Sequence, residues 1–284
     1  MRLFGISEAE HYCSSFQNLP GLAEGSLRDY QRNKIRFRNH TIVEGSTIFD
    51  EFRSCSLREV DRCLFLAASH YRRFLDLMIP SATHWASVTL YYGCWYASRA
   101  LLGMFGCIIF DNMVIDVQNS TPGNQELRVR IINRGQNQLS TYRGSHERYW
   151  DLFYQAVRQM IHMVPTNLSI ALSPIDGNPK WHIAHRNKVN YDTFKGLELA
   201  RDFQSGFNHI SFPNSLPGIL ATQYAINEAL LELAVIYAKQ FRLTTDALNF
   251  LSSSSALKQQ VKSMIYHQKP PALVKKTRKN IIFS

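Results

Sequence analysis

The sequence predicts an all-α protein, a mainly helical bundle carrying one inserted β-hairpin. Three observations lead there. Long stretches space their apolar residues three and four apart, and one short stretch alternates at period two instead. Hydrophobic residues make up 45% of the 284 residues and charged ones 19%, the balance of a chain that buries a core.

Residues 1–54 lack sustained periodicity and are expected to form an irregular, basic N-terminal region. Arg28, Arg32, Lys34, Arg36 and Arg38 cluster there, with Tyr30 and Phe37 interleaved. Such a cluster suits a phosphate backbone and makes RNA the expected ligand of these five residues. The alternative is a merely solvated charged segment.

From Ser56 the run SLREVDRCLFLAASHYRRFLDLMI places Val60, Leu64, Ala67, Ala68 and Tyr71 on one helical stripe. Ser56 and Glu59 match a capping box, and Pro80 ends the helix. A second helix is expected over roughly 82–105. Its stretch Ala86 to Phe110 is long and apolar enough to cross a bilayer. Arg99 near its middle would cost roughly 2.5–3.5 kcal/mol there, and small and polar residues dilute it further. A buried helix of a soluble protein is the expectation, with no membrane partner. Arg99 then needs a carboxylate or carbonyl partner.

MVIDVQ and ELRVRII alternate at period two around NSTPGNQ, which reads as a hairpin near 113–133. Residues 133–144 are loop-like. Helical pattern returns at Ser145, with Tyr149, Leu152, Phe153, Ala156, Met160 and Met163 on one face. DGNPKW supplies a turn, with Asn178 as N-cap and Pro179 at the first helical position. The helix begun there is expected to run to about Arg201, and a long apolar helix to span Leu220 to Phe241. The bundle thus covers 55–245, and 246–284 is a basic C-terminal tail.

Composition narrows function. The formal net charge of +10 favours polyanionic partners. Five cysteines, odd in number and without a CxxC pair, read as free thiols in a reducing compartment, so a cytoplasmic location is expected. Acidic residues in MRLFGISEAEHYC stand where a signal peptide would carry its apolar run. There is no G-x-G-x-x-G, Walker loop, G-x-S-x-G elbow or H-E-x-x-H. Asp111, Asp116 and Asp151 are too scattered for a metal nuclease. No cofactor and no metal are expected.

Two stretches carry a resemblance. LYYGCWYASRALL, residues 90–102, resembles the aromatic, small-residue and Arg helix common in HEPN domains. RNKVNY, Arg186 to Tyr191, resembles that family's Arg, polar residue and His motif at R-x4-6-H spacing, with Tyr191 where the His is expected. The resemblance spans about residues 55–245. It implies an antiparallel helical bundle that commonly dimerises, so that two copies of the motif face one cleft. Catalytic members are metal-independent endoribonucleases acting as toxins or antiviral defence effectors, and an antitoxin or other protein partner is implied. Members lacking the full motif serve as binding or dimerisation modules, or as nucleic-acid-binding subunits.

The residue types fit the chemistry. Attack by a ribose 2′-hydroxyl needs a group that moves a proton and a cation for the phosphorane. Arg186 suits the phosphate with its planar fork, and Asn187 would orient it. The proton would fall to Tyr191, or to His182, which lies one turn before Arg186 at i, i+4. An ordinary phenol titrates near about 10, far from neutrality. Packing or surface roles are the alternatives for His182 and His185, and an intramolecular salt bridge is the alternative for Arg186.

Overall fold

The structure, a computed structural model, describes residues 1–14, 16, 27–35, 40–78, 82–110, 113–131, 145–160, 178, 181–206, 212, 214–216 and 218–243. It is mostly helical with a small four-stranded antiparallel sheet. Arg36, Arg38 and the basic tail from Asp246 lie outside the described residues.

The N-terminal region, expected to be irregular, includes regular elements among its described residues. It holds α1 (Ile6–Ser14), a short helix α2 (Leu27–Tyr30) continued by a π-turn (Gln31–Ile35), and strand β1 (His40–Val43). Phe4, Ala9, Tyr12 and Leu27 are buried in the common core. These elements are too short to show a period, and their apolar residues meet partners far along the chain.

Helix α3 (Thr47–Asp76) begins nine residues before the expected start at Ser56. Its cap is Ser46, whose Oγ accepts the Phe49 amide at 3.2 Å. Ser56 is buried inside the helix, and Glu59 instead meets Arg99, whose Nη2 lies 3.2 Å from its Oε1. The partner that Arg99 required is therefore a carboxylate one helix away.

Helix α4 (Thr83–Met104) is the central rod. Its buried residues, from Ala86 through Leu90, Cys94, Ala97 and Leu101, face several sides, as expected of a helix surrounded by protein. It packs against α3 and against the last helix, Gly218–Gln240. Among the described residues, that last helix is the one apolar and long enough to cross a membrane, and 56% of its most apolar window is buried within the protein.

The expected hairpin is present as β3 (Met113–Asn119) and β4 (Glu126–Ile131), but it is the centre of a larger sheet. Strand order is β1-β4-β3-β2, with β2 (Ile108–Ile109) on one edge and β1 on the other. Thr41 faces Arg128 across β1 and β4, and Asp116 faces Arg128 across β3 and β4. Helix α5 (Ser145–Met160) starts where the pattern placed it.

The helix expected from Pro179 to about Arg201 is two helices, α6 (Trp181–Tyr191) and α7 (Thr193–Gly206). Asp192 separates them: its Oδ1 accepts the Lys195 amide at 3.2 Å, capping the second. Asn178 precedes α6 in a turn, with its carbonyl accepting the Trp181 amide at 2.9 Å. Pro179 lies outside the described residues. Helix α8 (Gly218–Gln240) closes the fold close to its expected bounds.

Candidate functional site

Helix α6 divides its predicted site residues between two faces. His182 and Arg186, four apart, point toward α4. Asn187 and Tyr191, also four apart, sit about 100° further round and are exposed, Tyr191 at 71%. One residue of offset is enough to separate the pairs, so the structure joins Arg186 with His182 and not with Asn187 or Tyr191.

His182 is fully buried. Its ring stacks on Trp150 of α5 at 4.3 Å and stands edge-on to Tyr91 at 6.4 Å. Among the described residues neither ring nitrogen has a hydrogen-bond partner. Burial, with a smaller contribution from the nearby His185, pushes its pKa down to about 3, so the imidazole is neutral. Such a group packs rather than carries protons to a substrate. His185 is half-buried, 4.2 Å from the Trp181 ring, and burial lowers its pKa too.

Arg186 is half-buried, and its guanidinium lies 5.3 Å from the centroid of Tyr91 and 6.0 Å from that of Tyr92. It makes no ion pair among the described residues; its guanidinium makes a polar contact with the Tyr91 hydroxyl, and its Nε is buried without a hydrogen-bond partner there. A cation held on two aromatic faces keeps its charge while losing part of its water. It is thereby left wanting an anion.

Beneath it, Tyr91 is buried and joined to two residues of α5. Its hydroxyl is hydrogen-bonded to His146 Nδ1 at 2.6 Å and accepts Trp150 Nε1 at 3.4 Å. Desolvation raises its pKa to about 12, so it stays protonated. His146 is half-buried, with the Trp95 ring at 4.3 Å. On the outer side of α4, His70 stacks on Tyr92 at 5.7 Å and on Tyr96 at 5.5 Å. Sequence reading missed Tyr91 and His146 as members of the site. The aromatic pair in LYYGCWY was a signal for Tyr91, but it read as core packing, and nothing local distinguishes His146 from other histidines.

Of the predicted RNA-binding cluster, Arg28, Arg32 and Lys34 are exposed on α2 and its π-turn. No group of three His, Cys, Asp or Glu side chains among the described residues is placed to hold a metal ion.

No family model matches the chain, and comparison with curated proteins and with solved structures returns no match. The fold and site therefore define a class by their own features. This is a mainly helical protein with a small antiparallel sheet and an arginine that, among the described residues, sits on an aromatic platform without an anionic partner.

Proposed function

We propose that the protein is a HEPN-like, RNA-directed protein, and that it acts as a metal-independent endoribonuclease of the toxin or defence-effector type in the cytoplasm. The observation that carries this reading is Arg186, half-buried on Tyr91 and Tyr92 without an anionic partner. A phosphate supplies what that guanidinium lacks, through two parallel charge-assisted hydrogen bonds. In the reaction, the 2′-oxygen attacks phosphorus after losing its proton to an imidazole, and the 5′-oxygen leaves and takes a proton from water. The imidazole then returns its proton to the hydroxide so formed. Arg186 stabilises the charge that builds on the phosphorane. His146, which shares Tyr91 with Arg186, replaces His182 as the imidazole of this scheme, because His182 is sealed in the core. Tyr191 is accessible but lies on the other face of α6. Homodimerisation, as in the family resembled, would bring two such sites together.

Arg186→Ala should abolish cleavage of a labelled RNA assayed in EDTA and leave the far-UV circular dichroism unchanged. Cleavage that persists in this variant refutes the assignment.

A second reading is favoured by the burial of His182: a catalytically silent HEPN-like module that binds RNA or scaffolds a partner. It predicts salt-dependent RNA binding without any cleavage.

A further inference from the structure

The sheet offers a second cationic surface, separate from Arg186. Asp116 on β3 is fully buried, and strand alternation sets it on the face opposite Ile115 and Val117. Two arginine forks cover it. Arg128 donates from Nε at 3.2 Å and Nη2 at 3.2 Å, and Arg130 from Nε at 3.3 Å and Nη2 at 2.7 Å. The main-chain amide of Arg2 adds a fifth bond at 3.2 Å. The register sets Arg128 opposite Asp116 and Arg130 opposite Val114, so both guanidiniums rise from one face.

One carboxylate balances one guanidinium. Here it holds two, and the Met1 ammonium lies 4.0 Å from its Oδ2 as well, which leaves a surplus positive charge around it. The two side chains remain 43% and 39% exposed, and the Nη1 donors of both are not engaged by Asp116. At the margin of the strip the Arg2 guanidinium donates, among the described residues, to the neutral acceptors Gln118 O at 3.0 Å and Ser120 Oγ at 3.4 Å. Glu126, at the turn end of β4, is a second acidic residue on the same face. Ile35, which ends the turn carrying the exposed Arg32 and Lys34, is five residues from His40, so at most about 18 Å of chain separates that turn from β1. Strand β1 in turn sets Thr41 against Arg128.

We propose that this face of the sheet is an accessory phosphate-binding strip that docks the backbone of RNA. Forks held rigid by a shared carboxylate suit phosphate oxygens. Polar neighbours such as Thr41, Gln118 and Ser120 suit a nucleic acid better than a bilayer interface, which takes bulky apolar side chains. The strip rests on RNA being the ligand, but not on cleavage.

The test is fluorescence anisotropy with a labelled single-stranded RNA over a salt series, on the parent, Arg128→Gln, Arg130→Gln and Arg186→Ala. Each glutamine variant leaves Asp116 one fork, so its melting temperature should stay near the parent's. The expected result is a several-fold rise in Kd and a log–log salt slope shallower by about 0.7 for each arginine lost. Parental Kd and slope in both glutamine variants, with binding weakened only by Arg186→Ala, would overturn the strip and spare the RNA reading. A parent that binds no RNA overturns both, and binding to phosphatidylserine vesicles in its place points to a membrane surface instead. If a glutamine variant melts early, phenylglyoxal labelling of the parent with peptide mapping decides the matter. RNA should protect Arg128 and Arg130, and labelling that RNA leaves unchanged overturns the proposal.

Discussion

His182 shows how a single side chain trades accessibility for packing. Its ring lies flat on Trp150 and finds no hydrogen-bond partner among the described residues, so it is held neutral, with its pKa pushed down to about 3 by desolvation. The unfolded chain returns it to an ordinary value near about 6.5. Below that pH the unfolded state takes up a proton that the folded state refuses, so stability rises with pH between the two values. The contribution is complete above about 6.5 and is lost as pH falls toward 3. The slope from this residue should approach about 1.4 kcal/mol per pH unit. Urea midpoints measured from pH 7 to pH 5 should therefore fall in the parent and fall less in His182→Phe, which keeps the stack. Equal slopes in the two proteins would refute the assignment. The four-residue spacing of His182 and Arg186 placed them on one face. What faces them could not be read, because Trp150, Tyr91 and Tyr92 arrive from other helices.

The helices meet through small residues where the sequence shows only composition. Gly93 of α4 sits against Asn227 of α8, and a Cβ there would collide with the Asn227 amide nitrogen. Asn227 cannot swing away without loss, since its Nδ2 donates to Leu90 O at 3.2 Å and to Cys94 Sγ at 3.7 Å in a buried setting. Gly93→Ala should therefore destabilise by about 1–3 kcal/mol by overpacking. In an open helix the same change would stabilise by roughly 0.5–1 kcal/mol. The sign of the shift in denaturant midpoint separates the two cases. Element boundaries were legible where the signal is local, as at Ser145 and over β3 and β4. They failed where a cap competes with a look-alike. Ser46 caps α3 while the S-x-x-E at Ser56 lies inside it, and Asp192 breaks a run that reads as one helix.

Across the whole molecule all five cysteines are free and buried. Desolvation drives the thiols of Cys63 and Cys94 up to about 12, and those of Cys13 and Cys107 also move upward. A thiol that does not ionise does not react. Native protein should thus bind almost no Ellman's reagent at pH 8, and denatured protein should release five equivalents. Rapid labelling of the native state would show that the core opens. By itself the sequence determined the mainly helical class, the central apolar helix, the hairpin and the pairing of His182 with Arg186 on one face. These follow from periodicities of 3.6 and 2, which neighbouring residues express without help from the rest of the chain. Tertiary structure alone decided that the hairpin belongs to a four-stranded sheet, that Glu59 serves Arg99, that His182 is sealed in, and that Arg186 rests on Tyr91 and Tyr92 without an anionic partner among the described residues. Each of these depends on which distant segment covers a residue, and burial, which sets charge state and reach, is a property of the packed whole.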